Sequence, residues 1–141
     1  MIGKDKDRAR LSGLLSPTAV EFEALAEASW QALPEVFRQS VGRLVIRIEE
    51  WPGDTALAEL GLDSPYDLLG LFRGIGMAHS SVTYPAVEPN MVFLFRRPIL
   101  DYWAEHEETL GSLITHVLVH EIGHHFGLSD EDMARIEAGA A

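Results

Sequence analysis

The chain has 141 residues, of which 47% are hydrophobic, and none is cysteine. This length suits one domain with a substantial core, and the lack of cysteine excludes disulfides, thiolate metal ligands and thiol catalysis. Twenty-two acidic residues outnumber eleven basic ones, for a formal net charge of −11, so we expect no nucleic-acid partner, because phosphate binding requires a basic face.

The N-terminal segment, residues 1–15, is charged and has no apolar stretch of the kind found in signal peptides. No apolar run reaches the ~18 residues of a membrane span. We therefore predict a flexible arm over residues 1–15 and a single domain over residues 16–141. We also expect a cytoplasmic location, no membrane partner and, because like charges repel, a monomer.

The first predicted helix begins at Ser16, the expected N-cap, with Pro17 at the first helical position. Pro34 ends this helix or opens a short second turn. Alternation of apolar and polar side chains then predicts a strand over residues 43–50. A turn leads to a short helix over residues 54–61.

Two more strands are predicted, a short one within the glycine-rich residues 68–77 and a buried one over residues 91–96, with a loop at 78–90 between them. Pro98 is expected to stop the last strand. Three helices follow, a short one over residues 101–108, a long one over 109–126 and a last one over 129–137, for which Ser129 is the expected N-cap. This order predicts an α+β fold in which a short mixed sheet packs against helices.

The most specific segment, HEIGHHFGLSD, begins at His120 and contains an H-E-x-x-H motif. His120 and His124 share one face of the predicted long helix, so both imidazoles can reach one cation. Glu121 is offset by about 100° around the axis and can border the open side of a metal site as general base. Gly127 permits a left-handed exit from the helix, and this turn brings Asp130 towards the histidines as a third ligand.

Other polar residues near the motif have competing interpretations. Asp132 is an alternative third ligand, because a turn can slip by one or two residues. His116 continues the histidine stripe but lies about 12 Å along the helix from His124, which favours a supporting or surface role. His125 points about 100° away from His124 and is interpreted as a packing residue. Four more side chains are candidates for an extra oxyanion donor: His79, Tyr84, Tyr102 and His106.

The pattern H-E-x-x-H-x-x-G-x-x-D resembles the zincin superfamily of metallopeptidases, and more narrowly its small, single-domain, bacterial zincin-like members. The resemblance spans about residues 17–138. It is supported by segments in the same order along the chain: Leu33-Pro34, LVIRIE from Leu44, LGLFRG from Leu69 and FLFRRPI from Phe93.

The resemblance implies a zincin-like α+β domain and one Zn²⁺ ion held by His120, His124 and Asp130. It also implies peptide hydrolysis by a zinc-bound water with Glu121 as general base. In zincins an edge strand beside the active-site helix pairs with an extended peptide substrate, and we place that edge within residues 71–84.

Three functions are compatible with these residues. The leading one is a zinc-dependent metallopeptidase that acts on a peptide or a flexible protein segment. A second is a metal-dependent hydrolase or amidase that acts on a non-peptide bond. The third is a catalytically silent, zinc-stabilised module for protein interaction, against which the presence of Glu121 argues, because a structural zinc site needs no base.

Overall fold

The computed structural model describes residues 2–74 and 89–140 of the chain. Its elements in chain order, besides one 3₁₀ turn at Pro65–Asp67, are α1 (Ile2–Ser12), α2 (Ala19–Gln31), α3 (Glu35–Val41), β1 (Leu44–Glu49), α4 (Asp54–Leu60), β2 (Gly70–Arg73), β3 (Asn90–Phe95), α5 (Arg96–Glu105), α6 (Leu110–His125) and α7 (Asp130–Ala138). Within these ranges, none of the helices combines the length and the apolar character that crossing a bilayer demands.

Strand β3 lies at the centre of the sheet, whose order is β1-β3-β2 among the described residues. β1 runs parallel to β3, with Leu44 opposite Asn90. β2 runs antiparallel to β3, with Gly70 opposite Leu94. The α+β fold with a short mixed sheet, predicted from the sequence, is confirmed.

The main hydrophobic core lies between one face of the sheet and helices α2 and α6. The strands supply alternate side chains to it, as a half-buried sheet requires: Ile46, Phe72, Val92 and Leu94. A smaller cluster is formed by Leu57, Leu68 and Phe95. Phe95 is on the opposite face of β3 from Val92 and Leu94. The sheet is therefore covered on both faces, and α6 lies on the side of the larger core.

The starts of two helices differ from the sequence prediction. Helix α2 is capped by Thr18 instead of Ser16, because Thr18 and Glu21 form a reciprocal capping box. Helix α5 begins directly after β3 and includes Pro98 in its first turn. Proline is tolerated there because the first turn of a helix has no internal acceptor for its backbone N–H groups, so Pro98 does not delay the helix to residue 101.

The segment predicted to be a flexible arm is helical from Ile2 to Ser12. From Gly3 onward all of its side chains are exposed. Its flexibility stays a prediction. Residues 75–77 of the segment 68–77, and residues 78–88 of the predicted loop after it, lie outside the described residues.

The turn after α6 has the form that Gly127 predicted. Gly127 has a φ of +73°, and its N–H donates to the carbonyl of His124 at 3.2 Å. The N–H of Leu128 donates to the carbonyl of Gly123 at 2.9 Å. Together these two bonds form a Schellman motif, which ends α6 and directs the chain into α7 within a few residues.

The left-handed turn gives the first testable prediction. Gly127→Ala should lower the free energy of unfolding by about 1–2 kcal/mol, because a side chain at positive φ brings Cβ close to the carbonyl oxygen. Chemical denaturation measures this loss. The matched control is Gly111→Ala in α6, where a new Cβ would meet only Leu25 Cδ1 at 3.8 Å. Equal stabilities of the two variants would contradict the strain at Gly127.

Candidate metal centre

Helix α6 carries the histidine and glutamate side chains on an otherwise apolar element. Thr109 caps it by accepting a hydrogen bond from the backbone N–H of Ser112, as the predicted start of this helix required. Its buried residues fall on several sides: Leu110, Leu113, Ile114, Val117, Leu118, Val119, Ile122 and Gly123. Burial of these residues fixes the position and rotation of α6 in the core. The Cβ atoms of the polar side chains in its last turns are therefore fixed as well.

His120 and His124 lie on one face of α6, as their spacing predicted. Their ring centroids are 5.5 Å apart and the rings are nearly perpendicular. His120 is partly buried, whereas His124 is exposed. Burial lowers the pKa of His120, with a smaller effect in the same direction from His116, so His120 is neutral near pH 7 and its nitrogen lone pair is free to bind a cation.

The side chain of Glu121 extends from α6 towards β2, an edge strand of the sheet among the described residues. A methyl group at Gly70 would be 3.2 Å from Cγ of Glu121 and 2.8 Å from Cγ1 of Val117, so only glycine allows β2 to approach this closely. Burial raises the pKa of Glu121 to about 7, because desolvation disfavours the charged carboxylate. The carboxyl group is therefore poised to exchange a proton near neutral pH.

Helix α7 packs against α6 at Gly123, inside the H-E-x-x-H motif. A methyl group at Gly123 would lie 2.5 Å from Sδ of Met133, and Met133 is fully buried. Close packing at this point, together with the turn at Gly127, brings α7 back along α6. The two helices consequently present acidic side chains of α7 to the histidine face of α6.

Asp130 is the first residue of α7 and is exposed. Its negative charge is close enough to raise the pKa of His120 slightly. In the described part of the chain, however, His120, His124 and Asp130 do not place three donor atoms within 4.8 Å of one another. Their joint role as metal ligands stays a prediction.

Asp132, the alternative third ligand, is engaged elsewhere. Its carboxylate accepts hydrogen bonds from the backbone N–H of Ser129 and from Arg135, and its own backbone N–H donates to the hydroxyl of Ser129. Hydrogen bonding by Arg135, and then by Ser129, lowers the pKa of Asp132. Its carboxylate therefore serves the start of α7.

The described donors that do converge are His116, His120 and Glu137. Oε1 of Glu137 lies 2.9 Å from Nδ1 of His116 and 3.4 Å from Nε2 of His120. Glu137 lies outside the H-E-x-x-H motif and was not among the predicted site residues. A signal was present, because Glu137 lies seven residues after Asp130, about two turns further along the same face of a helix.

The remaining candidates take structural positions or fall outside the described ranges. The ring of His125 packs on Phe72 with centroids 4.4 Å apart, in agreement with a packing role. Tyr102 and His106 stack on each other with centroids 3.7 Å apart. His79 and Tyr84 lie outside the described residues.

The chemistry of this donor set fits zinc. Imidazole nitrogens and carboxylate oxygens are zinc ligands, and here two helices offer three histidines and two acidic side chains along a single seam. Oε1 of Glu137 is shielded from solvent and has no hydrogen-bond partner among the described residues. A buried, unpartnered oxygen of this kind is stabilised by a cation.

The raised pKa of Glu121 gives a stability prediction for the metal-free protein. The folded state holds this proton more tightly than the unfolded state, so the contribution of Glu121 to stability is full below about pH 4.5 and is lost as the pH rises to about 7. Glu121→Gln should remove that loss. At pH 8 the variant should be more stable than the wild type by about 2 kcal/mol, allowing for partial solvent screening.

Urea unfolding of both proteins with a chelator present, from pH 4 to pH 8, measures this difference. A difference in unfolding free energy that stays constant over that range would contradict the assignment.

The similarity of the chain to known proteins identifies its family. A family model described as zincin-like metallopeptidase matches residues 41–140, which run from the end of α3 through the whole sheet, α6 and α7. A search of curated proteins gave no significant match. The family match covers most of the chain and confirms the resemblance expected from the sequence. The chain therefore belongs to the zincin-like metallopeptidase family.

Proposed function

We propose that this protein is a zinc-dependent peptidase in which Glu121 is the general base. The observation that carries the proposal is the position of Glu121, next to His120 in the chain and packed against the edge strand β2 at Gly70. A base and a row of imidazole donors therefore lie beside a strand whose outer edge can receive an extended chain. Membership of the zincin-like family supports a metal-dependent hydrolase in general.

His120, His124 and Asp130 would hold the ion, in line with the spacing of the motif. When bound, zinc supplies Lewis acidity that polarises a substrate carbonyl. With two neutral imidazoles and one carboxylate as ligands, the Zn²⁺ site would keep a net positive charge. The ligands would therefore reduce the Lewis acidity of the ion only in part. The exposed position of His124 keeps that side of the centre accessible to substrate and water.

Glu121 would move the protons of the reaction. As the oxygen of a water molecule attacks the carbonyl carbon, the carboxylate of Glu121 accepts a proton from that water. Glu121 then gives the proton to the amide nitrogen as the C–N bond breaks, so the same carboxyl group serves as base and acid. The pKa of about 7 belongs to the metal-free protein, and a nearby cation favours the ionised, proton-accepting form.

The substrate we infer is an extended peptide or a flexible protein segment. Among the described residues, β2 has a strand partner on one side only, and it lies against α6 at Glu121. A peptide added along the other side of β2 would gain main-chain hydrogen bonds. Its scissile bond would pass over the end of α6. Of the substrate edge expected within residues 71–84, the proposed pairing uses residues 71–73, and residues 75–84 lie outside the described residues.

Replacement of the base gives a direct test. Glu121→Gln should retain bound zinc but lower turnover of unstructured peptides by at least about 100-fold, because the amide cannot accept the proton. Mass spectrometry of a digested peptide library would find a substrate of the wild type and follow its cleavage. Glu27→Gln, on the exposed face of α2, is the matched control. Unchanged turnover by Glu121→Gln would rule out the proposed base.

A second test separates the two aspartates that compete as third ligand. Asp130→Ala should weaken zinc binding by at least about tenfold, whereas Asp132→Ala should leave zinc binding intact. The second variant should instead lose some stability, because the capping box of α7 is broken. Elemental analysis and competition with a chromophoric chelator measure zinc content and affinity. Stronger loss of zinc from Asp132→Ala would reverse the assignment.

A further inference from the structure

A second set of possible metal-ligand atoms is displaced by about one helical turn from the predicted zinc ligands, towards the N-terminus of α6. His116 and His120 are four residues apart on α6, and their ring centroids are 3.9 Å apart. Glu137, on α7, reaches both of them through one carboxylate oxygen. The three donors lie within 4.8 Å of one another, and no other group of three among the residues described does so.

The contacts within this set are unlike hydrogen bonds. Oε1 of Glu137 is 2.9 Å from Nδ1 of His116, yet it has no hydrogen-bond partner in the described ranges. The distance is short enough for a bond, so the oxygen must lie off the axis along which that nitrogen would donate. Two ligands of one tetrahedral ion are related in this way, because each points at the ion and not at the other.

The separation of Glu137 from His120 agrees with a shared ion, whereas its 2.9 Å separation from His116 is shorter than that of two ligands of an ideal tetrahedral ion. With ligand bonds of about 2.0–2.1 Å, neighbouring donors of a tetrahedral zinc site are separated by about 3.3 Å. The observed separation of Oε1 of Glu137 from Nε2 of His120 is 3.4 Å. Oε1 of Glu137 is buried between two imidazoles with no hydrogen-bond partner among the described residues, and this is a costly position for that oxygen when no cation is bound.

We propose that His116, His120 and Glu137 form a second cation site, which overlaps the predicted catalytic site through His120. Its ligand is a divalent transition cation such as zinc or cobalt, because these ions favour imidazole together with carboxylate. The side chain of His116 is 52% exposed, so the site opens to solvent and water can complete the coordination.

Sharing of His120 makes the two sites mutually exclusive. The contact with Glu137 is made by Nε2 of His120, and that nitrogen has one lone pair to give. An ion on His116 and Glu137 is also displaced from His124 by about one turn of helix, roughly 5 Å. The protein therefore binds one cation at a time in this region, and the second site holds it away from His124.

The proposal does not depend on peptidase activity, so its test is binding alone. The metal-free full chain carrying His124→Ala is titrated with Co²⁺, and separately with Zn²⁺ against a chromophoric chelator. We expect one equivalent of cobalt with the visible absorption of a tetrahedral site. Adding Glu137→Gln or His116→Ala to His124→Ala should each weaken binding by at least about tenfold.

The matched control is His124→Ala with His106→Ala, which removes an exposed imidazole that stacks on Tyr102 and should leave binding unchanged. Circular dichroism of each variant checks that it is folded. The proposal is overturned if His124→Ala binds no cobalt, or if at least one of the two weakened variants binds cobalt as tightly as His124→Ala alone.

Discussion

The structure depends on one constraint, the burial of α6 on nearly every side. Its apolar residues contact α2, the sheet and α7 in a single core, so the helix cannot rotate without exposing them. His116, His120, Glu121 and His124 are spaced around the remaining part of the same helix. The direction in which each of these polar groups points is consequently set by packing of the apolar ones.

Two glycines allow neighbouring elements to pack closely against α6, beside its histidine and glutamate side chains. At Gly70 the backbone of β2 touches Glu121 and Val117, and at Gly123 the side chain of Met133 reaches the backbone of α6. Close approach on one side desolvates the carboxyl group of Glu121 and raises its pKa to about 7. Close approach on the other side brings the acidic face of α7 to the histidines. Both effects follow from the absence of a side chain.

Helix α7 offers two carboxylates to one stripe of histidines, Asp130 at its start and Glu137 near its end. Asp130 follows the turn at Gly127 and is exposed, whereas Glu137 lies against His116 and His120 with a buried oxygen. The proposed cation site and the predicted zinc site share His120, so the cation would be held either beside His124 or apart from it.

The sequence by itself determined the local features of this protein. The spacing of His120 and His124, the left-handed turn at Gly127 and the cap at Ser129 were all predicted and are all present, because they depend on residues within a few positions of one another. Local signals predicted the wrong helix start at two places. Thr18, not Ser16, caps α2, and α5 begins before Pro98 because proline is tolerated in the first turn of a helix.

Only the tertiary structure decided which distant residues meet. It placed β3 between β1 and β2, packed Gly70 against Glu121 and brought Glu137 to His116 and His120. Glu137 shares a helix face with Asp130, a relation visible in the sequence. Its approach to α6 depends on the angle and depth at which two helices pack, and those are set by side chains such as Met133 that the local pattern does not relate to the motif.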